Sequence, residues 1–135
     1  MTPALVPELY VSDLDASLAF YSEMLGFEID YTRSDDRFSY LVRGAAALML
    51  EEPIGRTWLA GPLEVPFGRG MNLQIAVEDV RTLYAICERA QARIILPLET
   101  KAYRRRDDKV SQNQFVVQDP DGYLIRLAEF RVLRD

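Results

Sequence analysis

Asn72 and Gln74 alternate with Leu73, Ile75 and Val77, so this stretch reads as a strand with one apolar face and one face carrying two amides. Glu8 and Tyr10 alternate with Leu9 and Val11 in the same manner, and Arg126 alternates with Ile125 and Leu127. A carboxylate, a phenol, two amides and a guanidinium are the groups that recognise small polar molecules. Arg126 can grip a carboxylate through two parallel hydrogen bonds. Glu8 becomes a general base where burial raises its pKa, with Tyr10 or Tyr103 as the acid. No spacing in the chain demands catalysis, and no catalytic residue is assigned.

The 135 residues contain no histidine. That removes the commonest general base, the Ser–His and Cys–His nucleophile pairs, and the imidazole ligands of zinc, iron, nickel and copper. Any metal would have to be held by oxygen donors alone. Cys87 is the only cysteine, so no internal disulfide forms, and its place on an apolar helix face reads as an inert core residue. The net charge of −5 argues against nucleic acid, whose phosphates need a basic footprint. The one basic cluster, Arg104-Arg105-Arg106, is followed at once by Asp107 and Asp108 and reads as a solvated loop rather than a phosphate site. The longest apolar run, Ala45 to Leu50, is far too short to span a membrane. Met1-Thr2-Pro3-Ala4 lacks the pattern of a secretory signal, and with the lone thiol this leads to an expectation of a cytoplasmic protein.

The elements that position these groups come in two similar sets. Val11-Ser12-Asp13-Leu14 and Val77-Glu78-Asp79-Val80 each end an alternating strand, supply an Asp, and open a helical pattern, at an offset of 66 residues. Residues 5–11 read as the first strand. Leu14, Leu18, Tyr21 and Leu25 form one helical stripe that ends at Gly26. Strands follow at 27–32, 38–42 and 46–51, and Pro53, Gly55, Gly61, Pro62, Pro66, Gly68 and Gly70 then mark residues 53–70 as a linker. The second set has a strand at 71–77, a helix carrying Val80, Leu83, Tyr84 and Cys87, and a strand at 93–98. A polar loop at 99–111 and strands at 114–118 and 123–130 complete it. Asp119-Pro120-Asp121-Gly122 predicts a tight turn. Strand–helix–strand–strand–strand, twice, predicts an α+β fold with antiparallel hairpins.

Residues 11–21 with Leu25-Gly26-Phe27, and the later Asp119-Pro120-Asp121-Gly122-Tyr123, resemble the vicinal-oxygen-chelate superfamily. That superfamily includes glyoxalase I, extradiol dioxygenases, fosfomycin-resistance enzymes and bleomycin-resistance proteins. The resemblance implies one domain, with a βαβββ module at 1–52, the linker at 53–70 and a second module at 71–135. Their sheets would curl around a cleft. Metal-dependent members place ligands at positions that here hold Val6, about Met49, Asn72 and Arg126, a set unsuited to a divalent ion, so no metal and no cofactor are expected. The nearest pattern is that of the metal-free, drug-sequestering members. Such proteins are commonly homodimers, so a homodimer with a small-molecule ligand is expected, with no nucleic acid and no membrane partner.

On this likeness Glu8, Tyr10, Met49, Asn72, Gln74 and Arg126 line the cleft from strands, and Tyr40, Trp58 and Tyr103 reach it from loops or sheet edges. Flat rings beside polar anchors suit a planar ligand. The alternatives stay open: Arg126 pairs with Glu8, the two amides face solvent, and Trp58 packs at an interface or under the linker. No cluster of carboxylates is evident in the expected cleft. An isomerase, lyase or transferase acting without a transition metal is the rival to a pure binding protein.

Overall fold

Each half of the chain runs strand–helix–strand–strand–strand. The structure, a computed structural model, describes residues 3–133. It divides into two compact units, one ending at Phe67 and the other beginning at Gly68. In the first, β1 (Glu8–Tyr10) leads to α1 (Leu14–Leu18), which continues as a π-helical segment, Ala19–Met24. Then come β2 (Glu28–Arg33), a 3-10 turn (Ser34–Asp36), β3 (Phe38–Arg43) and β4 (Ala46–Glu51). The second unit comprises β5 (Asn72–Ala76), α2 (Val80–Arg89), β6 (Arg93–Arg105), β7 (Asp108–Gln118) and β8 (Leu124–Leu133). Each unit holds one four-stranded sheet, in the orders β1-β4-β3-β2 and β5-β8-β7-β6. In each, the first strand runs parallel to the last and the remaining pairs are antiparallel. The α+β expectation and the two βαβββ modules hold. Among the described residues no helix is long and apolar enough to cross a membrane.

Both helices start for the same reasons. The first N–H groups of a helix lack intrahelical partners. Asp13 accepts from the N–H of Asp15 at 3.0 Å and of Ala16 at 3.4 Å. Asp79 accepts from the N–H of Thr82 at 3.1 Å and from its hydroxyl at 2.6 Å. The next donor is met from the far end of the same unit. Leu14 N donates to Glu52 Oε2 at 2.8 Å, and Val80 N donates to Glu129 Oε1 at 3.2 Å. Just before each cap, Val11 N donates to Glu51 O and Val77 N to Ala128 O, both at 2.9 Å. The 66-residue repeat is therefore a repeat of hydrogen bonding as well as of sequence.

Beneath the first helix the apolar face of the sheet supplies Leu9, Leu41, Leu48 and Leu50, all buried with Leu14, Tyr21 and Leu25. Burying each such side chain fully contributes about 1.5–3 kcal/mol. Tyr21 meets Phe20 and Phe27 edge-to-face, at 4.9 and 6.0 Å between ring centroids. Leu18, expected in the buried stripe, is only half-buried, while Ser17 and Phe20 are buried. The π-helical segment takes more residues per turn and so rotates the buried face away from a 3.6-residue period. In the second unit Phe115, Val117, Ile125 and Leu127 lie under Val80, Leu83 and Cys87, and Tyr84 stands edge-on to Phe115 at 5.1 Å.

Two sequence expectations are corrected. Alternation predicts the first strand over residues 5–11, but the ladder begins only at Glu8, because Pro7 has no N–H and contributes only its carbonyl, which accepts from Met49 N at 2.9 Å. The polar loop expected at 99–111 is a hairpin ladder. Glu99 pairs with Gln114, Tyr103 with Val110 and Arg105 with Asp108. Its residues are polar because β6 is an edge strand exposed along much of its length. The basic cluster thus sits at a hairpin tip, where Arg106 adopts a left-handed φ of 57°.

The predicted tight turn is present. Asp119 Oδ1 accepts from the N–H groups of Asp121, Gly122 and Tyr123, each at 2.9 Å. Tyr123 is buried, and Gly68, with φ +73°, passes so close to it that a Cβ there would collide with the edge of the Tyr123 ring. Gly68→Ala should therefore destabilise the protein by about 2 kcal/mol or more, from overpacking plus left-handed strain. Urea unfolding checks this. The same substitution at Gly44, which has φ +56° and open space within 4 Å of the place a Cβ would take, should cost clearly less.

Candidate functional site

The face of the N-terminal sheet turned away from the leucine core gathers four of the expected site residues. Glu8 pairs in register with Met49, and Met49 with Tyr40. Tyr40 pairs with Tyr31, giving the row Glu8, Met49, Tyr40, Tyr31 across four strands. The neighbouring row is Tyr10, Glu51, Phe38, Arg33. A bulge between Ile29 and Tyr31 turns Tyr31 onto this face, where its ring stacks on Tyr40 at 5.3 Å and 8°. Phe38, Tyr40 and Ala47 form a buried cluster here, with Val6, Val42 and Met49 packed against it. Trp58 joins only through its backbone, whose N–H donates to Tyr10 Oη at 2.8 Å. Trp58 is 71% exposed, with the Arg56 guanidinium 4.3 Å from its ring centroid.

Glu51 is absent from the residues singled out by sequence, although it stands two positions beyond Met49 and alternation puts both on one face. It meets Glu8. Burial, followed by the Glu8 carboxylate, pushes the Glu51 carboxyl above its ordinary range, while Arg33 pulls the other way. Burial likewise raises the Tyr10 phenol, opposed by the Trp58 N–H and reinforced by Glu8 and Glu51. Glu51 and Glu8 thus bring two carboxyl groups together on this face. The adjacent Glu52 points to the opposite face and behaves oppositely. It accepts from Arg37 Nη2 at 2.9 Å, from Arg37 Nε at 3.2 Å and from Leu14 N, and these bonds lower its pKa.

In the C-terminal unit Gln74 pairs with Arg126, and Arg126 with Val116, on the face away from α2. Asn72 lies one step along the same face, opposite Leu124, and both amides are exposed. Deeper in the sheet the face carries a relay of amides. Gln112 Nε2 donates to Gln114 Oε1 at 2.6 Å, and Gln114 Nε2 donates to Glu99 Oε1 at 2.9 Å. Gln112 and Gln114 are both buried. Arg126 Nε is buried and has no hydrogen-bond partner. Tyr103 does not join this group. It pairs with Val110, six residues along β7 from Val116, about 20 Å away at strand rise. Cys87 is buried and its thiol is pushed up to about 11 by burial, which leaves it unreactive as a nucleophile.

The sequence matches the profile of the Glyoxalase/Bleomycin resistance protein/Dioxygenase superfamily over residues 5–127. A superfamily member from Vibrio splendidus is 38% identical, over 92% of this chain and 95% of that one, with a TM-score of 0.44. The chain belongs to this superfamily. TioX from Micromonospora is similar at 21% identity and TM-score 0.69, covering 93% and 96% of the two chains. A virulence protein from Salmonella typhimurium is similar at 19% identity and TM-score 0.67, covering 92% and 93%. No curated protein matches the sequence significantly.

The positions that hold metal in metal-dependent superfamily members do not fit an ion here. Val6 and Met49 belong to an apolar cluster, and Arg126 brings a positive charge. Among the described residues no group of three or more His, Cys, Asp or Glu side chains is placed to hold one.

Consecutive glutamates with opposite shifts give a signed prediction. The raised Glu51 pKa means that its contribution to stability is present at low pH and lost as pH rises through the folded-state value. The lowered Glu52 pKa means that its contribution is present above the ordinary value and lost as pH falls through the folded one. At neutral pH Glu51→Gln should hold or raise the melting temperature, and Glu52→Gln should lower it. Carboxyl carbon titrations should place Glu51 above and Glu52 below the ordinary glutamate range; the reverse order would show that the two faces are misassigned.

Proposed function

We propose that this protein binds a small molecule on the strand faces turned away from its helices and works by holding it, as a drug- or metabolite-sequestering member of its superfamily. The observation that carries this reading is the buried Arg126 Nε without a partner, beside the exposed amide of Gln74. A buried donor left unmet costs about 1–3 kcal/mol, which a ligand acceptor would recover. Arg126 is the anchor in this reading, and Asn72 and Gln74 orient the bound group. The absence of histidine from the sequence favours binding without a transition metal. The lone buried thiol is in keeping with a cytoplasmic site of action. We further propose a homodimer, supported by the exposed edge strand β2, which presents Ile29 and Tyr31 at 47% and 45% exposure.

A metal-independent isomerase or lyase is the second reading. The raised carboxyl of Glu51 beside Glu8 is the acid–base group it would use.

Two measurements test the main reading. Benzoate serves as a carboxylate probe for the anchor, and Arg126→Met keeps the stem while removing the forked donors. Its affinity for benzoate should fall by about ten- to more than a hundredfold, the loss of one charge-assisted hydrogen bond; unchanged affinity rules out the anchor. Elemental analysis of purified protein should show clearly substoichiometric zinc, nickel, iron and manganese, and one tightly held equivalent per chain overturns the metal-independent reading.

A further inference from the structure

We propose that the N-terminal sheet carries a second recognition site, formed by Glu8, Glu51 and Tyr40, for a flat cationic donor such as an amidinium or a protonated heteroaromatic amine. It rests on the reading of the protein as a small-molecule binder, but on residues of the other unit, so the two can fail separately.

Acceptors outnumber donors on this face. Glu8 and Glu51 offer four carboxyl oxygens on adjacent strands, half-buried. Tyr10, on the same face, interacts with Glu8 and accepts from Trp58 N, so it has a single proton to give. Besides Glu8, the charged groups acting on Glu51 are Arg33 from β2 and Asp36 from the turn that follows. Arg33 is already engaged, with its Nε bonded to Asp36 Oδ2 at 3.1 Å and its guanidinium 3.9 Å from the Phe38 ring centroid. Glu8, Glu51 and Asp36 stand against one arginine, which leaves the face an excess of formal negative charge. Burial makes that charge costly unless a cation meets it.

The second observation is independent of the acids. Tyr40 is only 8% exposed, and its hydroxyl is buried with no hydrogen-bond partner. It stands in the same cross-strand row as Glu8, separated from it by Met49. A buried hydroxyl of this kind is an unmet acceptor and donor on the same face as the two carboxyls. The rings of Tyr31, Tyr40 and Phe38 and the thioether of Met49 make the rest of the face aromatic and soft, suited to a flat apolar body. An inorganic divalent cation fits less well, since calcium takes about six to eight oxygens and this face sets Met49 between Glu8 and Tyr40 and Phe38 beside Glu51.

The test compares benzamidine, its neutral isostere benzamide, and benzoate, in thermal shift and proton–nitrogen correlation spectra of the full chain. Benzamidine should raise the melting temperature and move the amides of β1, β3 and β4, and benzamide should do neither. Glu51→Gln, expected to fold at least as well as the parent, should weaken benzamidine about tenfold or more, the loss of one charge-assisted hydrogen bond. Tyr40→Phe should weaken it without loss of fold. Affinity should fall as pH drops through the Glu51 titration, because protons then compete with the cation. Benzamide binding as tightly as benzamidine overturns the claim of charge recognition, and so does full affinity in Glu51→Gln. Calcium displacing benzamidine with tighter binding transfers the site to a metal and overturns the organic cation. Benzoate bound with no response to benzamidine up to about 10 mM, ample for a fragment of this size, overturns this inference and leaves the Arg126 reading standing. Benzamidine bound with no response to benzoate does the converse, and silence from both overturns both.

Discussion

A glutamate reaching from the end of each sheet to the first turn of its helix is the contact on which the rest of each unit depends. Glu52 does this for Leu14, and Glu129 for Val80. In sequence these residues are the last strand's contribution to an element laid down long before. In space each joins the parallel strand pair, the helix start and the cap aspartate at one corner. Once that corner is fixed, the parity of the parallel strand pair in the unit follows. The leucines of β4 go beneath the helix, and Met49 and Glu51 go to the other side. Glu52 is further tied to Arg37, which also lies 3.6 Å from Asp15, so the corner is held by charge as well as by hydrogen bonds. Glu129 has a comparable neighbour in Arg131 at 3.3 Å.

The corner also explains which parts of the fold are legible without a structure. The Val-x-Asp-Leu and Val-x-Asp-Val pairs are the local half of the corner, and they carry both helix starts and the two-module order. Short-range signals serve equally well at Asp119-Pro120-Asp121-Gly122, where the turn is closed by one carboxylate and three neighbouring N–H groups. Long-range effects leave no such mark. The hairpin at 99–111 is polar because of where its strand lies at the sheet edge, and composition alone gives an edge strand the look of a loop. Leu18 leaves the buried stripe and the helix changes its turn at Ala19, neither of which periodicity anticipates.

The candidate site is legible in its parts more than in its grouping. Alternation places Glu8, Tyr10, Met49 and Tyr40 together, and Gln74 with Arg126. It carries the signal for Glu51 as well, since Met49 and Glu51 are two apart, but the family's metal position singles out Met49 alone. Trp58 stands out in the sequence for its indole, yet its contribution is a main-chain N–H. No sequence rule distinguishes those two roles. The bulge that brings Tyr31 over Tyr40 is equally invisible, because a single extra residue in an edge strand leaves no mark in composition.

The adjacency of Glu51 and Glu52 has a consequence for how the sheet finds its pairing. Two identical residues in succession look the same to any interaction that reads side-chain type, so at those two positions residue type alone gives no warning of a one-residue slip. What discriminates is that each position offers a different welcome: a crowded acidic neighbour on one side, an arginine and a helix start on the other. A slipped β4 would bring the wrong glutamate to the helix, with a leucine delivered to the acidic side. The pair thus acts as a vernier for strand alignment, in which sameness of residue and difference of surroundings together mark the true register.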